Sequence, residues 1–185
     1  MKSITEIPGH ELKGKYVLVR AGFDVPLDEK GEVSDVFRVE RSAETLTYLS
    51  QLGARVIVLS HIGRDPSETN APVASALQFH AAVVYVPDLL GPAAIEARSA
   101  MRDGEILLLE NLRSDPREVA NDDGFARELA ALGDIYVGDA FSAAHRAHAS
   151  IVGIPKYLPH YAGLLMTEEV RQLDKARNPE HPSFA

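Results

Sequence analysis

Short apolar runs alternate with stretches of helical periodicity along most of the chain. Tyr16-Val17-Leu18-Val19-Arg20 is brief and β-branched, which predicts a first strand. Val39, Ala43, Leu46, Leu49 and Leu52 then recur at helical spacing, and Gly53 stands where a helix C-cap belongs. Arg55 to Ser60 predicts a second strand, Asn70 to Ala82 a helix with Pro72 in its first turn, and Val83 to Val86 a third strand. Pro92 to Arg102 predicts a helix, Glu105 to Leu109 a fourth strand, and Asp122 to Leu132 a helix closed by Gly133. Ile135-Tyr136-Val137 predicts a fifth strand, and Leu164 to Ala176 a final amphipathic helix. Tyr85, Tyr136 and Phe125 read as core.

Strands this apolar are covered on both faces, and strands separated by helices are usually parallel. The expected fold is therefore α/β: an open parallel sheet with helices on both faces, a Rossmann-like three-layer sandwich. From Asn178 to Ala185 two prolines lead into Ser183-Phe184-Ala185, as if a further strand were to follow, so the chain reads as truncated.

Ligands of open α/β sheets bind at the carboxyl edge of the strands. The first strand ends in Arg20-Ala21-Gly22-Phe23-Asp24, and the second in Ser60-His61-Ile62-Gly63-Arg64. The fourth ends in Glu110-Asn111-Leu112-Arg113, and the fifth in Gly138-Asp139-Ala140-Phe141, with His145-Arg146-Ala147-His148 close behind. Arg38 opens the helix after the first strand. One arginine after a strand is ordinarily a solvated loop residue. Several at successive strand ends predict an anion site, because the guanidinium fork matches phosphate and carboxylate and stays charged. Gly22, Gly63, Ala140 and Ala144 would let a ligand approach the backbone. The expected ligand is small and multiply anionic, such as a phosphorylated carboxylic acid.

Other residues carry milder readings. His145 and His148 have the spacing of metal ligands but no third partner in view, so capping or anion contact is preferred and no metal is expected. Asp139 reads as an acid that orients arginines rather than as a base. Glu110 and Asn111 read as braces of their turn, and Asp122-Asp123 as a solvated helix start.

Composition narrows the function classes. Lys and Arg total 19 against 27 Asp and Glu among 185 residues, a formal net charge of −8. That makes the chain a poor general polyanion binder, so no nucleic-acid partner is expected. Cysteine is absent, which excludes disulfides, thiolate metal sites and a cysteine nucleophile. No apolar run approaches the roughly 20 residues of a membrane span, and the start is polar, without a signal stretch. No membrane partner is expected, and the cytoplasm is the default location. Phosphate-loop, dinucleotide and nucleophile-elbow motifs are all missing, so no nucleotide site is legible. An anion-binding half without one suggests a binding protein or half of a two-part enzyme.

The strand-end segments are similar to a known family. VLVRAGFDVPL at 17–27, FRVER at 37–41, VIVLSHIGR at 56–64, PVA at 72–74, ILLLENLR at 106–113, IYVGDAFSAAHRAHAS at 135–150 and YLPHYAGLLMTEE at 157–169 resemble, in order, the amino-terminal, substrate-binding domain of phosphoglycerate kinase. The resemblance implies that residues 1–175 form that domain and that 176–185 begin a hinge toward a nucleotide domain. It implies reversible phosphoryl transfer, in glycolysis, between 1,3-bisphosphoglycerate and Mg-ADP, giving 3-phosphoglycerate and Mg-ATP. The nucleotide would be held by the carboxyl-terminal domain, not by this chain. The 3-phosphate would lie among His61, Arg64, Arg113 and Arg146, with Arg20 and His145 in the same basic patch. Arg38 would be the catalytic cation, facing the phosphoryl group in flight.

Two departures bear on affinity. Where the family has V-D-F-N-V-P, this chain has Ala21-Gly22-Phe23-Asp24-Val25-Pro26, and the family's N-D-A-F-G-T-A-H appears as Gly138-Asp139-Ala140-Phe141-Ser142-Ala143-Ala144-His145. In extended backbone, positions 22 and 24 face the same way, so Asp24 is expected to supply the carboxylate missing at Gly22. Two functions stay open at this point. One is the substrate half of the kinase, binding but turning nothing over alone. The other is a non-catalytic anion-binding or regulatory module descended from the same fold.

Overall fold

Six parallel strands form one sheet in the order β3-β4-β2-β1-β5-β6. The structure is a computed structural model that describes residues 2–177. Ala176 and Arg177, the first residues of the expected hinge, still belong to the last helix, and the rest of it, with the proline-rich tail from Asn178 onward, lies outside the described residues. After a short helix α1 (Gly9–Leu12) come β1 (Tyr16–Arg20), α2 (Phe37–Gln51), β2 (Arg55–Leu59), α3 (Ala71–Leu77) and β3 (Val83–Tyr85). They are followed by α4 (Pro92–Ala100), β4 (Ile106–Leu108), α5 (Asp123–Ala130), β5 (Ile135–Gly138), β6 (His160–Ala162) and α6 (Leu164–Arg177).

The three layers follow from the strand period of two. Leu18, Ile57, Leu107 and Tyr136 lie side by side in register and join the core that α4 and α5 cover with Ala94, Phe125, Ala126 and Leu129. Their neighbours Val17, Val19, Val56, Val58, Ile106, Leu108 and Val137 face the other way. They pack beneath Val39, Leu46 and Leu49 of α2 and Val73 and Leu77 of α3. Strands buried on both faces cannot alternate with polar residues, which explains their continuous apolar runs. Among the described residues, no helix is long and apolar enough to cross a membrane.

Local chemistry sets the boundaries. Gly53 has φ of 78°, the left-handed conformation that closes α2. Asp122 caps α5 by accepting the Phe125 N–H at 2.7 Å. Three expectations need correction. The third helix stops at Leu77, not Ala82, because His80 and Ala81 fold back on the Leu77 carbonyl and the Gln78 carboxamide donates to the Val83 carbonyl. The fourth helix stops at Ala100. A sixth strand, His160–Ala162, extends the sheet beyond β5.

Strand order places the site. The chain leaves β1 for β2 on one side, whereas β5 leads to β6 on the other. Loops following β1 and β5 therefore part at the carboxyl edge, where open α/β sheets leave a crevice.

Candidate anion-binding site

Arg20, the last residue of β1, is completely buried. Such a burial is tolerable only if every face of the guanidinium is occupied. Nε donates to Ser150 Oγ at 2.9 Å, one terminal nitrogen to the Ala21 carbonyl at 2.5 Å, and the other to His61 Nδ1 at 2.6 Å. Burial still lowers the Arg20 pKa, with the carboxylate of Glu118 working against the shift. His61, two residues past β2, is 3% exposed. Burial first, then the nearby guanidiniums of Arg20, Arg113 and Arg146, push its pKa down to about 3, so it is neutral at physiological pH.

The next wall comes from the turn after β4. Asn111 is fully buried and braces three segments. It donates to the carbonyls of Ile62 and Glu68, at 3.0 and 2.8 Å, and accepts the Arg113 N–H at 3.0 Å. Glu110 accepts the N–H groups of Asn70 and Asn111. The bracing role expected for both residues is what the geometry shows. Arg113, thus held, donates to the Gly63 carbonyl. Gly63 has φ of 62°, and a side chain there would overlap the Glu68 carboxylate, so the turn favours glycine. Burial, then Arg146, lowers the Arg113 pKa, with Arg64 adding to the effect.

Four arginines and a neutral imidazole thus gather from four separate stretches: Arg20 from β1, His61 and Arg64 after β2, Arg113 after β4, and Arg146 after β5. His148 lies close enough that its protonation would be felt at His61, but burial lowers its own pKa. Two nitrogens at the centre, His61 Nε2 and Arg113 Nε, are buried without a partner. Among the described residues, one carboxylate enters the cluster from the rim. Asp24 accepts the Gly63 N–H at 3.0 Å and stands 3.6 Å from His61 Nε2.

Two of the sequence-derived residues lie apart. Arg38, in the first turn of α2, is exposed and donates to the Asp24 carbonyl at 2.7 Å. It lines a neighbouring cleft of about 420 Å³ with Gly22, Arg41, Asp139, Ser142 and Glu169. His145 is exposed and, among the described residues, makes no side-chain hydrogen bond or ion pair, whereas His148, three residues on, reaches Glu118 at 3.7 Å.

Two expectations fail locally. The chain is no longer a strand after Arg20, so positions 22 and 24 do not share a face. A side chain at Gly22 would meet Ala140 and Ser142, while Asp24 reaches across to Gly63 and His61. Nor does Asp139 orient an arginine. It is buried and accepts the Met166 N–H at 3.0 Å, and so caps the start of α6. Its burial raises its pKa to about 7.

Two site residues escaped the sequence reading. Glu118 and Ser150 are both fully buried behind Arg20. Glu118 sits in a polar run with the look of a surface loop. Ser150 closes the DAFSAAHRAHAS segment, which was the one available signal.

The family model described as phosphoglycerate kinase matches residues 7–185. The chain belongs to the phosphoglycerate kinase family. It is 48% identical over 183 residues to the phosphoglycerate kinase of Moorella thermoacetica, covering 95% of this chain and 46% of that one. With the phosphoglycerate kinase of Coprothermobacter proteolyticus it shares 43% over 182 residues, covering 94% and 46%. Among solved structures, Pyrococcus horikoshii OT3 phosphoglycerate kinase superposes with a TM-score of 0.88 at 28% identity, covering 98% of this chain and 47% of that one. The phosphoglycerate kinase of Coxiella burnetii gives 0.84 at 33%, covering 97% and 46%. The chain spans about half the length of these phosphoglycerate kinases, and the sheet described above is theirs.

Proposed function

We propose that this chain is the substrate-binding half of a phosphoglycerate kinase. It seats 3-phosphoglycerate or 1,3-bisphosphoglycerate by its 3-phosphate among His61, Arg64, Arg113 and Arg146, with Arg20 behind them. The observation that supports this is the pair of unpartnered buried donors, His61 Nε2 and Arg113 Nε, inside a crowd of cations. Buried donors without acceptors are costly, and an anionic oxygen would satisfy both while relieving the repulsion among the guanidiniums. Asp24 lies at the rim, where a glycerate hydroxyl would come within its reach.

Catalysis in this reading is positioning and charge compensation rather than covalent chemistry. Arg38, exposed above Asp24, is the group free to meet charge developing on the transferred phosphoryl. Mg-ADP or Mg-ATP is held by the carboxyl-terminal domain of the complete enzyme, and no residue of this chain is assigned to it. The chain alone binds and does not turn over.

Titration calorimetry with 3-phosphoglycerate, glycerate and inorganic phosphate tests the assignment. The triose acid should bind tighter than either part, and its affinity should fall with added salt because ion pairing carries much of it. Equal affinity for inorganic phosphate and 3-phosphoglycerate would overturn the substrate reading and favour a general anion-binding module.

A further inference from the structure

Behind the anion seat runs a buried chain of contacts in which the direction of each hydrogen bond is forced. Glu118 accepts the Ser150 N–H at 2.9 Å and the Ser150 hydroxyl at 2.6 Å. With its proton turned to Glu118, Ser150 Oγ presents lone pairs to Arg20, whose Nε–H donates at 2.9 Å. Arginine has five donors and no acceptor, so at 2.6 Å from Arg20 the Nδ1 of His61 must be the acceptor. A neutral imidazole that accepts at Nδ1 carries its proton on Nε2, and Nε2 is the buried atom left without a partner.

We propose that Glu118, acting through the Ser150 hydroxyl and the Arg20 guanidinium, is a positioning residue that locks His61 as its neutral Nε2–H tautomer and so aims a directional donor, not a further cation, into the anion seat. This role rests on the seat proposed above and adds how its central donor is set. Every charged neighbour of His61 fits it. Arg20 from β1, Arg113 from the turn after β4, and Arg146 and His148 from the segment after β5 all oppose an imidazolium. Among the described residues, the acid that pairs with it is Asp24, which stands 3.6 Å from Nε2 and is partly exposed to water. A protonated His61 would repel the three arginines in the empty site. A neutral Nε2–H adds an oriented bond without that cost, and binding then needs no proton uptake near neutrality.

Long-range proton–nitrogen NMR on the 15N-labelled chain reads the tautomer directly, without any ligand. His61 should show a bare Nδ1 and a protonated Nε2 from about pH 5 to 8, with no titration near its ordinary value of about 6.5. A proton on Nδ1, an averaged pair of tautomers, or a titration near 6.5 would overturn the proposal. Ser150→Ala should mix the tautomers, move the His61 titration upward and weaken 3-phosphoglycerate binding about tenfold. Ser150→Thr, which restores the hydroxyl, should restore the wild-type signature. Glu118→Gln preserves the shape of the site and should mix the His61 tautomers as Ser150→Ala does. A His61 spectrum unchanged in both Ser150→Ala and Glu118→Gln would overturn the relay. The substrate reading fails separately: the expected tautomer with no 3-phosphoglycerate binding would leave the relay standing and remove the seat's assignment.

Discussion

The anion seat and the cleft beside it are lined by the same residue type, held in opposite ways. In the seat, Arg20 is enclosed by Ser150, Ala21 and His61, and Arg113 is tied to Gly63. In the cleft, Arg38 is exposed and keeps a single bond to the Asp24 carbonyl. Asp24 joins the two, its carboxylate turned to the seat and its carbonyl to the cleft. On the proposed function, the contrast separates two tasks. A group that must hold a fixed phosphate gains from rigid neighbours that prevent collapse when the site is empty. A group that meets charge arising only during reaction must stay accessible to the side from which that charge arrives.

Breaking the enclosed side should have the largest effect. Arg20→Met leaves Glu118 buried without its counter-charge, which should cost about 3 kcal/mol or more of unfolding free energy, read from urea denaturation. A loss below about 1 kcal/mol would mean that the relay is not a structural anchor. Arg113→Ala should raise the dissociation constant for 3-phosphoglycerate by about 10- to 100-fold, since charge-assisted bonds to a phosphate are the strong ones. Calorimetry checks this, and a change under about threefold would place the phosphate elsewhere.

The two regions also differ in the sign of their pH response. The His61 pKa is depressed from 6.5 to about 3, so its contribution to stability is present above 6.5 and is lost as pH falls toward 3. His148, also depressed, acts in the same sense. The Asp139 pKa is raised from 3.8 to about 7, so the protonated acid favours the fold below 3.8, and that contribution is lost as pH rises through 7. Between about pH 4 and 6.5 the two slopes oppose each other. Asp139→Asn should therefore make the chain lose stability faster on acidification across that window, by roughly 2 kcal/mol, in denaturation curves at several pH values. An unchanged pH slope would contradict a protonated Asp139.

Smaller effects fall on the open side. Arg38→Ala should weaken 3-phosphoglycerate binding by about threefold or less, and by less than Arg64→Ala does. In a complete enzyme carrying this domain, its damage should appear in the turnover rate. His145→Ala should change affinity by less than about twofold. A large loss there would show that the exposed loop closes onto the ligand.

Most of the sheet could be read from the chain because burial on two faces leaves an unbroken apolar run, as in Val17-Leu18-Val19 and Val56-Ile57-Val58. β6 could not. His160-Tyr161-Ala162 is three residues long, follows a proline and is partly exposed, so no period of two can develop. The cations of the site were legible because strand ends share an edge whatever their order along the chain. Their support was not. Nothing in Arg117-Glu118-Val119 announces a buried carboxylate, since the partner that makes it tolerable, Ser150, is 32 positions away. Asp139 misled for a related reason: its neighbours in sequence suggest an arginine contact, but in three dimensions the nearest donors are the free N–H groups that begin α6.

A crystal structure of the chain with 3-phosphoglycerate bears most directly on the convergence of Arg20, His61, Arg64, Arg113 and Arg146 on one anion. The account predicts the phosphate within hydrogen-bond distance of His61 Nε2 and the Arg113 guanidinium, with Arg146 alongside. An ordered phosphate in the cleft between Arg38 and Arg41, leaving His61 Nε2 and Arg113 Nε still unpaired, would contradict it.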